Sequence, residues 1–182
     1  IHFVTDDKSQ FLLYSESSTE SGTYYLGSMN PLKVDAVAYR YKKLIPNLLN
    51  KTKEITYTTR DGMKITGYLT LPKNTSGKKL PTIIHPHGGP QSRDYYGFDY
   101  WQQFFANKGY AVLQMNFRGS TGSGFDHMKA GLKSWGKEMQ DDIEDGVHHL
   151  VKGGITDASR VAIVGASYGG YAALMGAVKT PD

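Results

Sequence analysis

The sequence has 182 residues, 39% of them hydrophobic and 21% charged, with no cysteine and a formal net charge of +4. Those values describe an ordinary globular chain and exclude a disulfide framework, thiolate metal sites and wholesale disorder. The basic residues are scattered, the densest groups being Lys42-Lys43 and Lys78-Lys79, so the positive balance reads as solvated surface and not as a nucleic-acid interface. No stretch approaches the roughly 18 apolar residues of a membrane span. The opening IHFVTDDKSQ lacks the basic and apolar regions of a signal peptide, and starts without Met inside an apparent strand, as a segment cut from a longer protein would.

Residues 1 to about 50 carry short apolar and aromatic runs, IHFV, FLLYSE and TYYLGSM, separated by polar turn sequences. This spacing predicts meander strands of a sandwich, barrel or propeller blade, too few to be a stable sheet domain alone. Tyr39 to Lys53, mixed and basic around Pro46, reads as a connection. Next, Glu54 to Arg60 and Lys64 to Leu71 flank Asp61-Gly62 and predict an antiparallel hairpin. Asn74 to Lys79 is a polar loop whose Asn74-Thr75-Ser76 matches a glycosylation acceptor too short to carry weight.

From Pro81 the pattern changes to strands alternating with helices. Pro81 to His85 and Tyr110 to Met115 read as buried strands, with a helix between them over Tyr96 to Lys108 ended by Gly109. A glycine-rich loop, Asn116 to Gly124, follows. It lacks both the G-x-G-x-x-G order and the Walker Gly-Lys-Ser/Thr ending, which argues against nucleotide binding. Arg118 within it is expected to pair with a carboxylate such as Glu138, Asp141 or Asp142, on a helix predicted over Lys137 to Val151 from the spacing of Met139, Ile143, Val147 and Leu150. Such alternation predicts a doubly wound, largely parallel α/β sheet, which binds ligands at the carboxyl ends of its strands.

The most informative stretch is Val161 to Gly170, VAIVGASYGG. Val161 to Val164 reads as a buried strand, Gly170 to Lys179 as a helix, and Gly165-x-Ser167-x-Gly169 as the sharp turn between them. A nucleophilic serine needs such a turn to expose its oxygen, and the flanking glycines remove the Cβ atoms that would clash there. Acyl transfer also needs backbone N–H groups aimed at the developing oxyanion. Tyr168, just after the serine, would supply one, and the glycines of His87-Gly88-Gly89-Pro90, after the first parallel strand, another.

The succession LPTIIHPHGGP, NFRGSTGSGF, WGKEMQDDIEDGV and RVAIVGASYGGYAAL resembles the catalytic domain of the prolyl oligopeptidase family of serine peptidases, and is similar above all to its acylaminoacyl-peptidase and dipeptidyl-peptidase branches. The resemblance spans roughly residues 54 to 178. It implies an α/β-hydrolase fold, truncated after the nucleophile helix and preceded by a remnant of a β-propeller blade. Residues 1–50 would then be the last propeller strands and linker, and 51–182 the N-terminal part of the catalytic domain. It further implies Ser167 as nucleophile, Tyr168 with Gly89 or Gly88 as oxyanion-hole donors, oligopeptide substrates, and no cofactor or metal. The family's triad continues with an acid and then a histidine, yet no histidine follows Ser167. His85, His87, His127, His148 and His149 lie upstream at positions expected to be structural, and Asp182 reads as part of a helix-to-strand turn. The isolated chain is therefore expected to be a poor catalyst. The same turn and loop would also serve an esterase or lipase, or a noncatalytic binding protein that keeps the fold.

Overall fold

The computed structural model describes residues 1–181, so Asp182 lies outside the described residues. Two sheets are joined through a short 3-10 turn at Pro46–Leu48. The first is an antiparallel meander of β1 (Phe3–Val4), β2 (Gln10–Ser17), β3 (Glu20–Met29) and β4 (Leu32–Tyr39), paired in that order. Four strands in this arrangement have the form of one propeller blade. The apolar runs predicted the first three. Strand β4 was hidden because all eight of its residues are exposed, with Lys33 and Asp35 paired at 2.7 Å in its midst.

The second sheet contains β5 (Thr52–Thr58), β6 (Lys64–Thr70), β7 (Leu80–Ile84), β8 (Ala111–Asn116) and β9 (Thr156–Ile163), in the order β5-β6-β8-β7-β9. Strands β8, β7 and β9 run parallel, and the β5/β6 hairpin joins them antiparallel along β8. The hairpin turns at Asp61-Gly62 as the sequence predicts: Gly62 takes φ +93°, which favours glycine, and Thr59 N–H donates to Met63 O at 2.8 Å. Four helices complete the unit: α1 (Tyr100–Asn107), α2 (Phe125–Lys129), α3 (Glu138–Lys152) and α4 (Tyr168–Lys179).

Alternation along β8 sorts its side chains to two faces. Gln114 accepts from Gln102 of α1 at 2.5 Å on one face. On the other, Leu113 and Met115 join Tyr57, Ile65, Met139, Ile143 and Leu150 in the buried core beneath α3. Burying each such large side chain stabilises the fold by about 1.5–3 kcal/mol, which is why the periodic apolar positions of α3 face inward.

The bounds of predicted elements are corrected at α1, at β9 and at α4, which starts at Tyr168 and not at Gly170, and one helix, α2, is new. Helix α1 begins at Tyr100 instead of Tyr96, because the Asp99 side chain accepts from Gln102 N–H at 2.8 Å and caps the first turn there. Strand β9 starts at Thr156, five residues before the apolar run, across a register shift opposite Leu80 to Thr82. Val161, Ile163 and Val164 are half-buried and Ala162 is exposed, not fully buried as expected, because β9 ends the sheet order and pairs with β7 alone.

Arg118 does pair across to α3, and Asp142 is the partner. The backbone N–H, Nε and Nη2 of Arg118 donate to the fully buried Asp142 carboxylate at 2.7–3.1 Å. Asp61 at the hairpin turn takes the remaining donors, Nη1 and Nη2, at 2.7 and 2.9 Å. Those Arg118 bonds hold the Asp61 carboxyl well below the usual carboxylate range. Glu138 is not a partner, and Asp141 instead binds Lys179 at 2.6 Å. One guanidinium thus ties the hairpin, the 117–120 loop and α3 together.

Candidate active site

Strand β7 delivers the chain into the 85–90 loop, and β9 delivers it into the turn before α4, so both reach the same edge of the sheet side by side. The two ends are stitched by Val164 N–H donating to Ile84 O at 2.9 Å and by His85 Nδ1 against Val164 O at 2.7 Å. At the turn, Ser167 has φ +55° and ψ −122°, a backbone conformation that a residue with a Cβ rarely adopts and that costs on the order of 1–3 kcal/mol. Ser167 is exposed while its neighbour Tyr168 is 3% exposed, so the turn pushes the hydroxyl outward and the ring inward.

The flanking glycines are required by contact. A Cβ on Gly165 would stand 2.5 Å from the Gly169 carbonyl carbon, and a Cβ on Gly169 would collide with the carbonyl oxygen of Pro86. The elbow therefore packs backbone against backbone, onto the same loop that carries Gly88 and Gly89. A Cβ built on Gly88 would lie 3.5 Å from Ser167 Cβ and 3.9 Å from its Oγ. Gly89 takes φ +119°, again a glycine conformation. Among the described residues, the N–H groups of Gly88, Gly89 and Tyr168 meet no acceptor. All the residues singled out from sequence, Ser167, Tyr168, Gly88 and Gly89, converge on one spot.

The loop is held by His87. Its ring stacks on Phe117 with centroids 4.4 Å apart and planes 16° apart, its Nδ1 meets Gly88 O at 2.7 Å, and its Nε2 meets Ser120 Oγ at 2.8 Å. Burial pushes the His87 pKa down, favouring the neutral ring. Phe117 in turn packs on Tyr168 at 5.4 Å, so an aromatic column runs from the 85–90 loop to the elbow. The Tyr168 hydroxyl is pushed well above its ordinary pKa by burial and points to Met139 Sδ at 3.7 Å. The other histidines serve structure: His127 Nε2 lies 3.1 Å from the carbonyls of Asn116 and Phe117, and His149 stacks on Tyr57.

Two features at this edge escaped the sequence reading. Asp94, a few residues beyond Pro90, is half-buried with its Oδ2 enclosed: its Oδ1 accepts from Gln114 Nε2 at 3.3 Å, and its Oδ2 has no partner among the described residues. Burial, with a smaller contribution from the Asp99 charge, raises its pKa to about 7. The second is a cavity of about 350 Å³ between Gly89 and Trp135. Neither has a local signature, since each depends on residues far apart in sequence. Among the described residues, no group of three or more His, Asp or Glu side chains could hold a metal ion, and no helix is long and apolar enough to cross a membrane.

Comparison with known proteins finds relatives of this chain. The profile of the prolyl oligopeptidase family matches residues 96–182. The chain is similar to dipeptidyl aminopeptidase BIII of Pseudoxanthomonas mexicana, at 40% identity over 97% of this chain and 27% of that protein. Among solved structures, an acylaminoacyl peptidase of Pyrococcus horikoshii superposes with a TM-score of 0.75 at 27% identity, covering 91% of this chain and 27% of that one. A puromycin-hydrolysing peptidase of Mycobacterium tuberculosis shares the fold, with a TM-score of 0.81 at 24% identity over 94% of this chain and 27% of that one. The chain thus spans about a quarter of the length of the relatives it matches. The shared architecture is the α/β-hydrolase fold with a blade-like meander before it. The matched sequence blocks and these likenesses lead to one conclusion: the chain belongs to the prolyl oligopeptidase family.

Proposed function

We propose that the intact protein is a serine-type peptidase that cleaves oligopeptides through an acyl-enzyme on Ser167. The observation that carries this reading is the exposed Ser167 hydroxyl on a strained turn, with the Gly88-Gly89 segment alongside and unpaired backbone N–H groups on both sides. In the proposed reaction, Ser167 Oγ bonds to the scissile carbonyl carbon as a general base removes its proton. The N–H groups of Tyr168 and Gly89 receive the oxyanion, the base returns the proton to the leaving amine as the C–N bond breaks, and water then releases the acid and frees Ser167.

The histidines near the site, His85 and His87, are engaged with Val164 O, Gly88 O and Ser120. The general base is accordingly assigned to a part of the intact protein outside these residues, and the 182-residue chain alone is expected to turn over peptides slowly if at all. The names of the relatives, a dipeptidyl aminopeptidase and an acylaminoacyl peptidase, support a peptide substrate. A fluorophosphonate probe tests the reading: covalent capture by the full-length protein, abolished in Ser167→Ala, is expected. Capture that survives the substitution would remove Ser167 from the role. Relative rates on a peptide anilide and a short-chain ester separate a peptidase from an esterase.

A further inference from the structure

We infer that the cavity beside the 85–90 loop is a specificity pocket for a bulky apolar side chain flanking the scissile bond; this rests on the peptidase reading above. The cavity measures about 350 Å³ and is lined by Gly89, Met128, Leu132 and Trp135 over a floor of Gly119 and Gly131. Gly89 supplies one proposed oxyanion donor. Trp135 stands edge-on against the ring of Tyr168, with centroids 4.9 Å apart, and Tyr168 supplies the other donor. One wall of the cavity is thus a proposed donor residue itself and the opposite wall packs on the ring of the other, which sets the cavity beside the carbonyl they would hold.

The floor is built, not incidental. A Cβ on Gly131 would collide with Gly119 Cα, so the two backbones pack face to face, and Gly119 takes φ +94°. Gly119 N–H donates to His127 O at 2.9 Å and Ser134 Oγ to Ala130 O at 3.1 Å, fixing both sides of the cleft. Above that floor Leu132 and Trp135 remain 61% and 51% exposed, large apolar surface around a concavity, which is the character of a ligand pocket. No acidic side chain lines it and Lys133 does, so a basic side chain would enter without a partner and against a like charge. The chemistry selects Leu or Phe over Ala, and Ala over Lys or Arg.

The test uses the full-length protein and two series of peptide anilides or internally quenched peptides, with Phe, Leu, Ala and Lys varied on the acyl side of the scissile bond in one and on the leaving-group side in the other. The series in which the wild type prefers Phe by about 10-fold or more over Ala identifies which side the pocket serves. In that series Trp135→Ala should cut the Phe-to-Ala ratio of kcat/KM about 10-fold. Leu132→Glu should raise the Lys-to-Phe ratio by a similar factor, a gain that a misfolded variant cannot produce. Unchanged ratios in both variants across both series would overturn the pocket. Fluorophosphonate capture retained by Ser167→Ala would instead overturn the peptidase reading beneath it.

Discussion

Asp94→Asn offers a quantitative test of the buried polar network. The native carboxyl sits against β8, where Gln114 Nε2 is the donor to its Oδ1 and Oδ2 has none, while Asn116 Oδ1 accepts from the Asp94 backbone N–H at 2.8 Å. Among the described residues no cation pairs with it, and burial together with Asp99 raises its pKa from 3.8 to about 7. A carboxyl raised on folding binds its proton more tightly in the native state. Its contribution to stability is therefore full below the unfolded value and is lost as pH climbs through the folded value. Over the whole window that is about 4 kcal/mol, of which about 3 kcal/mol falls between pH 5 and pH 8. Asn carries no charge to desolvate, so the variant should lack this slope. Denaturant unfolding at several pH values should show Asp94→Asn gaining about 3 kcal/mol on the wild type between pH 5 and pH 8. A difference between the two proteins that stays constant across that range would refute the assignment of Asp94 as a buried, unpaired acid.

Removing Asp142 should be costly in the opposite sense. Asp142→Ala strands Arg118, whose side chain is 7% exposed, with only Asp61 to answer it, and unfolding free energy should drop by about 3–5 kcal/mol; a change under 1 kcal/mol would disprove the role of this pair. Gly169→Ala drives a methyl into Pro86 O, so the elbow must shift and fluorophosphonate capture by the intact protein should fall sharply even where circular dichroism is unchanged. His87→Ala frees the Gly88-Gly89 segment from Ser120 and Phe117. If the Gly89 donor is lost with it, kcat should fall by about 100-fold or more, and wild-type turnover would show that the loop holds itself.

The parts of this molecule that were legible in the sequence are those whose cause is local. The Asp61-Gly62 hairpin follows from a turn residue with positive φ between alternating strands, and α3 from apolar positions at helical spacing. The elbow announced itself because Gly165, Ser167 and Gly169 are all needed within one turn of chain. What stayed hidden depends on distance in sequence. Strand β4 has no buried face to leave a pattern, and the polar Asp157 to Arg160 segment of β9 is recruited by pairing with β7. Arg118 could be assigned to α3 by charge, but its second partner, Asp61, arrives from 57 residues away. The Asp94 site and the cavity under Trp135 share that character: each exists only after three separate segments have met.

Strain explains why so much of the fold converges on one serine. A positive φ at Ser167 costs on the order of 1–3 kcal/mol and would relax if the turn could move. Relaxation is blocked on every side. Below, Tyr168 and Ala172 are buried in the core, and withdrawing such side chains would cost as much as the strain relieves. Beside it, Gly165, Gly169 and Pro86 leave no space between their backbones. Behind, the His87, Phe117 and Tyr168 rings tie the facing loop to the same core, and Arg118 anchors the 117–120 loop, against which His87 rests, to α3 through Asp142. The buried ion pair is thus better understood as a device that fixes the position of the 117–120 loop than as a net source of stability, since well-packed apolar side chains would stabilise at least as well. Substituting the pair by apolar residues of matching volume should consequently preserve unfolding free energy while lowering the rate of fluorophosphonate capture at Ser167; capture at the wild-type rate would refute the positioning role, and a fall in unfolding free energy would show that the pair stabilises the fold after all.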